Sequence, residues 1–99
     1  MAERIRQSSG NVFRDLGFAP AEAENLRVRT DLMIQLEKMI ESRGWTQREA
    51  AKHLGVSQPR ISDLVHGKFE RFSVDSLIEM FGRAGFTVTV GARRRSRVA

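Results

Sequence analysis

The chain of 99 residues contains no cysteine and no tyrosine, a single tryptophan and two prolines. Without a thiol it can form no disulfide, no thiolate zinc site and no cysteine nucleophile, which suits a reducing cytoplasmic setting. No run of about 18 apolar residues exists, so no membrane-spanning helix is expected. The opening residues Met1-Ala2-Glu3-Arg4-Ile5-Arg6 lack the apolar stretch that a secretory signal needs. Only two histidines are present, and His66 has no carboxylate or cysteine group to complete a ligand set. No metal, no other cofactor and no small-molecule ligand is therefore expected. What the chain does have is a hydrophobic share of 40%, enough for the core of one compact domain. Its net charge of +5 is unevenly placed, because Arg93, Arg94, Arg95 and Arg97 carry four of those charges. The rest is close to neutral, so a polyanionic partner has to be argued from pattern rather than from total charge. The arginine-rich tail reads equally as a solvated terminus or as a phosphate contact.

The pattern divides the chain into an N-terminal segment (1–19), a main domain (20–91) and a basic tail (92–99). Gln7-Ser8-Ser9-Gly10 reads as flexible. Val12, Phe13, Leu16 and Phe18 follow without clear periodicity, and either contact a protein partner or cap the domain's own core. Pro20 suits a first helical residue, with Glu22 and Glu24 at the positive end of the helix dipole. Leu26, Met33, Leu36 and Ile40, with Leu32 and Met39 beside them, recur at helical spacing up to a stop at Gly44. Three shorter helices are predicted next. Thr46 with Glu49 forms a capping-box pattern that opens the first of them, ending at Gly55. Ser57 caps a second, running to about His66 and Gly67. Ser73 caps a third, with Val74, Leu77, Ile78 and Phe81 as its buried stripe. Phe86-Thr87-Val88-Thr89-Val90 then alternates and reads as a strand. No other strand is evident, so its open edge is expected to pair with a second copy of the chain or with the N-terminal segment. The fold class expected is all-α, a bundle of four to five helices with one short C-terminal strand.

The stretch from Gln47 to His66 meets the steric demands of a helix-turn-helix. Ala51 is small where two short helices must approach, and Gly55 tolerates the positive φ of a tight turn. Ala50, Leu54, Val56, Ile61 and Leu64 supply one apolar side. Ser57, Gln58, Pro59, Arg60, Ser62, Asp63 and His66 are left facing outward, short or polar as a helix in the major groove requires. Ser57, Gln58, Arg60 and Ser62 are the candidate base contacts. The Gln58 amide matches an adenine edge, and Arg60 can reach guanine or a phosphate. Gln47, Arg48, Lys68 and Arg71 are the candidate phosphate contacts. Asp63 is unsuited to a phosphate and needs a cytosine amine or a structural role.

The stretch Thr46–Leu64 resembles the helix-turn-helix of the phage-repressor superfamily (Cro-like, also called XRE), and His66-Gly67-Lys68 resembles the turn that follows its recognition helix. Asn11–Phe18, and Phe72–Leu77 leading into Phe86–Val90, are similar to the HigA-type antitoxin branch. The resemblance implies a homodimer on a palindromic operator in double-stranded DNA, and a RelE/HigB-like ribonuclease toxin as protein partner. It also implies that Gln47 and Lys68 hold phosphates while Ser57, Gln58 and Ser62 face bases; Pro59 departs from the glutamine or lysine often found at its position. Together these give a sequence-specific repressor that autoregulates its operon and neutralises a toxin. The toxin would be met by Val12, Phe13, Leu16 and Phe18, and the second copy by Phe86, Val88 and Val90. The alternatives are a stand-alone regulator without a toxin, and a protein inhibitor with little DNA binding. Glu49 and His53, one helical turn apart, are the nearest thing to an acid–base pair, but on a short surface helix they read as solvated side chains, and no enzymatic activity is expected. Trp45 is expected to pack against the first long helix.

Overall fold

The computed structural model describes residues 10–94. The flexible reading of residues 7–9 and the contribution of Arg95 and Arg97 to the basic tail lie outside the described residues. Five helices are present among those described: α1 (Val12–Asp15), α2 (Pro20–Arg43), α3 (Gln47–Leu54), α4 (Gln58–Val65) and α5 (Val74–Arg83), with a 3₁₀ turn at Phe69–Arg71. None of them is long and apolar enough to cross a membrane.

The ends of these helices follow from local chemistry. Pro20 begins α2 where a missing N–H costs nothing, and Gly44 ends it in the left-handed conformation that a side chain would resist. Ser57 and Ser73 accept from the backbone N–H groups of Arg60 and Ser76, capping α4 and α5. Asn11 caps α1 by accepting from Phe13 N at 2.9 Å, while its amide donates to the Ala23 carbonyl at 3.0 Å. One buried side chain thus both starts α1 and ties it to α2.

The main core lies where α2, α3, α4 and α5 meet. Leu36, Leu54, Ile61, Leu64 and Leu77 are its fully buried centre, with Met33, Met39, Ile40, Ala50, Ala51, Phe72, Met80 and Phe81 around them. A smaller cluster of Phe13, Ala23 and Leu26 joins α1 to the start of α2. Phe69 packs against both clusters, and its ring meets that of Phe13 edge-on at 5.5 Å. Arg29 holds the same turn by donating to the Phe69 carbonyl at 3.3 Å. Next to the smaller cluster, Arg27 donates to Glu24, a bond that raises the Arg27 pKa above its ordinary value.

One expected element is not formed in the single chain. Residues 86–90 have no regular secondary structure, and no other described segment lies alongside them as a strand. A strand needs a ladder partner, so alternation in sequence alone leaves the segment irregular. Phe86 meets Phe81 edge-on at 5.8 Å and Val88 packs on the core, whereas Val90 is exposed.

Candidate nucleic-acid interface

Two helices of eight residues and the turn between them form the candidate interface. Thr46 and Glu49 build a reciprocal capping box at the start of α3. The Thr46 hydroxyl accepts from Glu49 N at 3.1 Å, and the Glu49 carboxylate accepts from Thr46 N at 2.9 Å. Such a cap contributes about 1 kcal/mol and fixes where α3 starts. Glu49 is thereby engaged, and the His53 ring stacks on Trp45 at 4.1 Å with the planes 6° apart. The two residues that sequence spacing set side by side thus have separate structural roles. Trp45 lies just before α3 rather than within it. It packs on the main core while Arg43 sits over both its ring and that of Phe86.

Between α3 and α4, Gly55 has φ +69°, so a side chain here would be strained. A Cβ would also stand 2.6 Å from Arg83 Cδ, so the Arg83 side chain, which lies against this turn, would have to move aside. Ala50, Leu54, Ile61 and Leu64 are buried as the helix-turn-helix pattern requires, and Ala51 is 7% exposed at the α3–α4 contact. The apolar side of the motif is therefore the inner wall of the core. Its outer side is held in place by residues that have almost no freedom.

With a helical repeat of about 100° per residue, burying Ile61 and Leu64 sets Pro59, Ser62, Asp63 and His66 on the opposite face of α4. Gln58 lies on one flank and Arg60 on the other. Gln58 is exposed at the start of the helix. Ser57 is exposed too, with its hydroxyl oxygen accepting from Arg60 N at 3.3 Å. Ser62 is half-buried; its carbonyl accepts from His66 Nδ1 at 2.7 Å, which fixes that ring nitrogen as the protonated one. Gln47 and Arg48 are exposed in the first turn of α3.

Arg60 is differently placed from the outward position read in the sequence. Its guanidinium lies 4.2 Å over the Phe72 ring and donates to the Arg71 carbonyl. Its flank position beside Leu64, legible from the same 100° repeat, turns it toward the segment that follows α4. Asp63 faces that segment as well. Its carboxylate accepts from Arg71 Nη1 at 3.3 Å and stands 4.0 Å from Lys68 Nζ, and its carbonyl accepts from Lys68 N at 3.0 Å. Lys68 and Arg71, the expected phosphate contacts, are therefore gathered at one end of α4 around an acid.

Among the described residues no group of histidine, aspartate and glutamate side chains is arranged to hold a metal ion. In comparison with known families, the family model described as a helix-turn-helix domain aligns with residues 12–93, most of the chain. No curated protein matches. The family match supports a DNA-binding role for the chain.

Proposed function

We propose, from the premise that the chain belongs to the helix-turn-helix domain family, that it is a sequence-specific DNA-binding repressor with α4 as its recognition helix. One observation carries this reading. Ile61 and Leu64 are locked into the core while the other side of the same helix presents short polar residues and an exposed glutamine at its start. A helix with that division fits a major groove by its shape, and Gln58 offers a bidentate amide to an adenine edge. Ser57 and Ser62 are further base contacts in this reading. Gln47 and Arg48, in the first turn of α3, hold phosphates and set the register, with Lys68 and Arg71 doing so at the other end of α4. Arg60 is retained as a base contact only if it leaves Phe72 on binding. As it stands it braces the helix.

Two copies, associating through α5 and residues 86–90, would set their recognition helices about 34 Å apart on a palindromic operator. The irregular state of residues 86–90 in one copy and the 79% exposure of Val90 support pairing there. Occupancy of the protein's own promoter would then repress it. The decisive test is fluorescence anisotropy with the upstream DNA and a scrambled duplex, at several salt concentrations, for wild type and Gln58→Ala. Preference for the native duplex, reduced about tenfold or more in the variant, is the expected result; each bidentate base contact contributes about 1–3 kcal/mol of discrimination. Equal, salt-sensitive binding to both duplexes would overturn sequence-specific repression.

A second activity, neutralisation of a RelE/HigB-like toxin, is favoured by one specific observation. Val12, at the start of α1, and Leu16, just past its end, are 61% and 70% exposed. Phe13 between them is buried in the smaller core, and Phe18 is marginally exposed with its ring against Phe13. The toxin-facing surface is therefore Val12 and Leu16, with Phe18 at its edge and Phe13 as the anchor that holds it. Gln58→Ala should leave neutralisation intact while preference for the operator falls.

A further inference from the structure

The acid on the recognition helix is the feature that DNA binding leaves unexplained. Asp63 sits on the outward face of α4, where a carboxylate repels phosphates. Its side chain is only 19% exposed, whereas its partners Lys68 and Arg71 are 49% and 58% exposed. The carboxylate is thus covered by two cations that themselves face solvent. The bonds form a connected chain: Arg60 donates to the Arg71 carbonyl, Arg71 donates to the Asp63 carboxylate, and the Asp63 carbonyl accepts from Lys68 N. Arg60 is held from the other side by the Phe72 ring.

From this geometry we infer that Asp63 is a specificity-determining residue that acts by restraint: it occupies Lys68 and Arg71 so that they contribute little to indiscriminate phosphate binding. This rests on the DNA-binding reading above. Non-specific affinity grows with each phosphate neutralised, and its logarithm falls with log[salt] at a slope of about −0.9 per phosphate contact. A carboxylate shared by two cations cancels part of that term on every duplex alike. On the operator, where α4 is seated, phosphates positioned by the rest of the interface can compete for the two cations. On a random duplex they cannot do so as well. The ratio of specific to non-specific affinity is thereby widened without any base contact by Asp63.

The test is the Asp63→Asn variant, which keeps an oxygen that can accept from Arg71 and removes only the charge. Anisotropy titrations with the operator and with a scrambled duplex would be run from low to moderate salt, with thermal unfolding of the variant measured alongside. The expected result on the scrambled duplex is tighter binding, by roughly three- to eightfold near 0.1 M salt, and a slope steeper by about 0.5–1. Operator affinity should rise less, so that discrimination falls. Glu22→Gln, which removes a carboxylate from the first turn of α2, controls for overall charge and should leave the slope unchanged. An unchanged slope in Asp63→Asn, whatever the unfolding midpoint does, overturns the inference in favour of a purely structural pair. Loss of operator affinity confined to one base pair, with the scrambled duplex unaffected, overturns it in favour of a direct contact to a cytosine amine. If wild type binds neither duplex, the DNA-binding reading itself fails. Because the slope is read on a scrambled duplex, loss of operator preference alone leaves the Asp63 test standing.

Discussion

The two ends of α2 are packed by different means. Its C-terminal half meets α3, α4 and α5 through Leu36, Leu54, Ile61, Leu64 and Leu77, none of which retains appreciable solvent contact. Its N-terminal half meets α1 through Phe13, Ala23 and Leu26, and leaves Val12 and Leu16 outside. The first region is determined from within, since Ala50, Leu54, Ile61 and Leu64 of the helix-turn-helix are enclosed by the core and α3, α4 and α5 start at capping side chains. The second region hangs from one ring and one asparagine. The contrast separates a surface whose shape must be fixed, for a groove, from a surface that is apolar and still uncovered.

Replacing Leu54 with alanine gives the largest expected effect, because it opens a cavity at the centre of the enclosed region. A loss of about 4 kcal/mol is expected, read as a drop in the thermal unfolding midpoint of roughly 4–8 °C per kcal/mol. DNA binding should fail with it near the new midpoint. Phe13→Ala should cost about 3 kcal/mol at most, the low end for a buried phenylalanine, because its cluster is small and at the edge. Here the sharper expectation is that operator affinity measured well below the midpoint stays at the wild-type value. If Phe13→Ala weakened DNA binding as Leu54→Ala does, the two regions would be one cooperative unit and the contrast would be lost. The smallest effect is expected from Val12→Ser combined with Leu16→Ser, within about 0.5 kcal/mol of wild type in stability, as for most exposed positions. The same double variant should lose neutralisation of a toxin expressed from the adjacent reading frame. Full neutralisation would remove α1 as the partner surface.

The enclosed region was also the legible one. The caps at Thr46, Ser57 and Ser73, the turn at Gly55 and the buried positions from Ala50 to Leu64 are local patterns, and the structure contains each of them. What the sequence concealed was decided by contacts between distant residues. Nothing near Phe69 announces that it joins two clusters, or that Arg29, forty positions away, holds its carbonyl. Asn11 as the cap of α1 was readable, being an asparagine directly before Val12-Phe13, but its second bond to Ala23 was not. Polarity alone puts Arg60 outward, whereas its angular position beside Leu64 sets it on the flank. The alternation at 86–90 was a true pattern without the partner that would turn it into a strand. Among the candidate site residues, Gln47, Arg48, Ser57 and Gln58 are exposed as the DNA-binding reading needs, whereas Lys68 and Arg71 are in salt bridges that only the folded chain brings about.

The stack of His53 on Trp45, with Arg43 across the indole and Phe86 beyond it, has an optical consequence. With one tryptophan and no tyrosine, emission excited in the near ultraviolet comes from a single indole whose neighbours are known. One face of that indole reports the seating of α3, and Arg43 links it to the segment around Phe86. The chain therefore carries an intrinsic fluorophore at the joint between its DNA-facing motif and the segment through which two copies are proposed to meet, and it can report on both without a label.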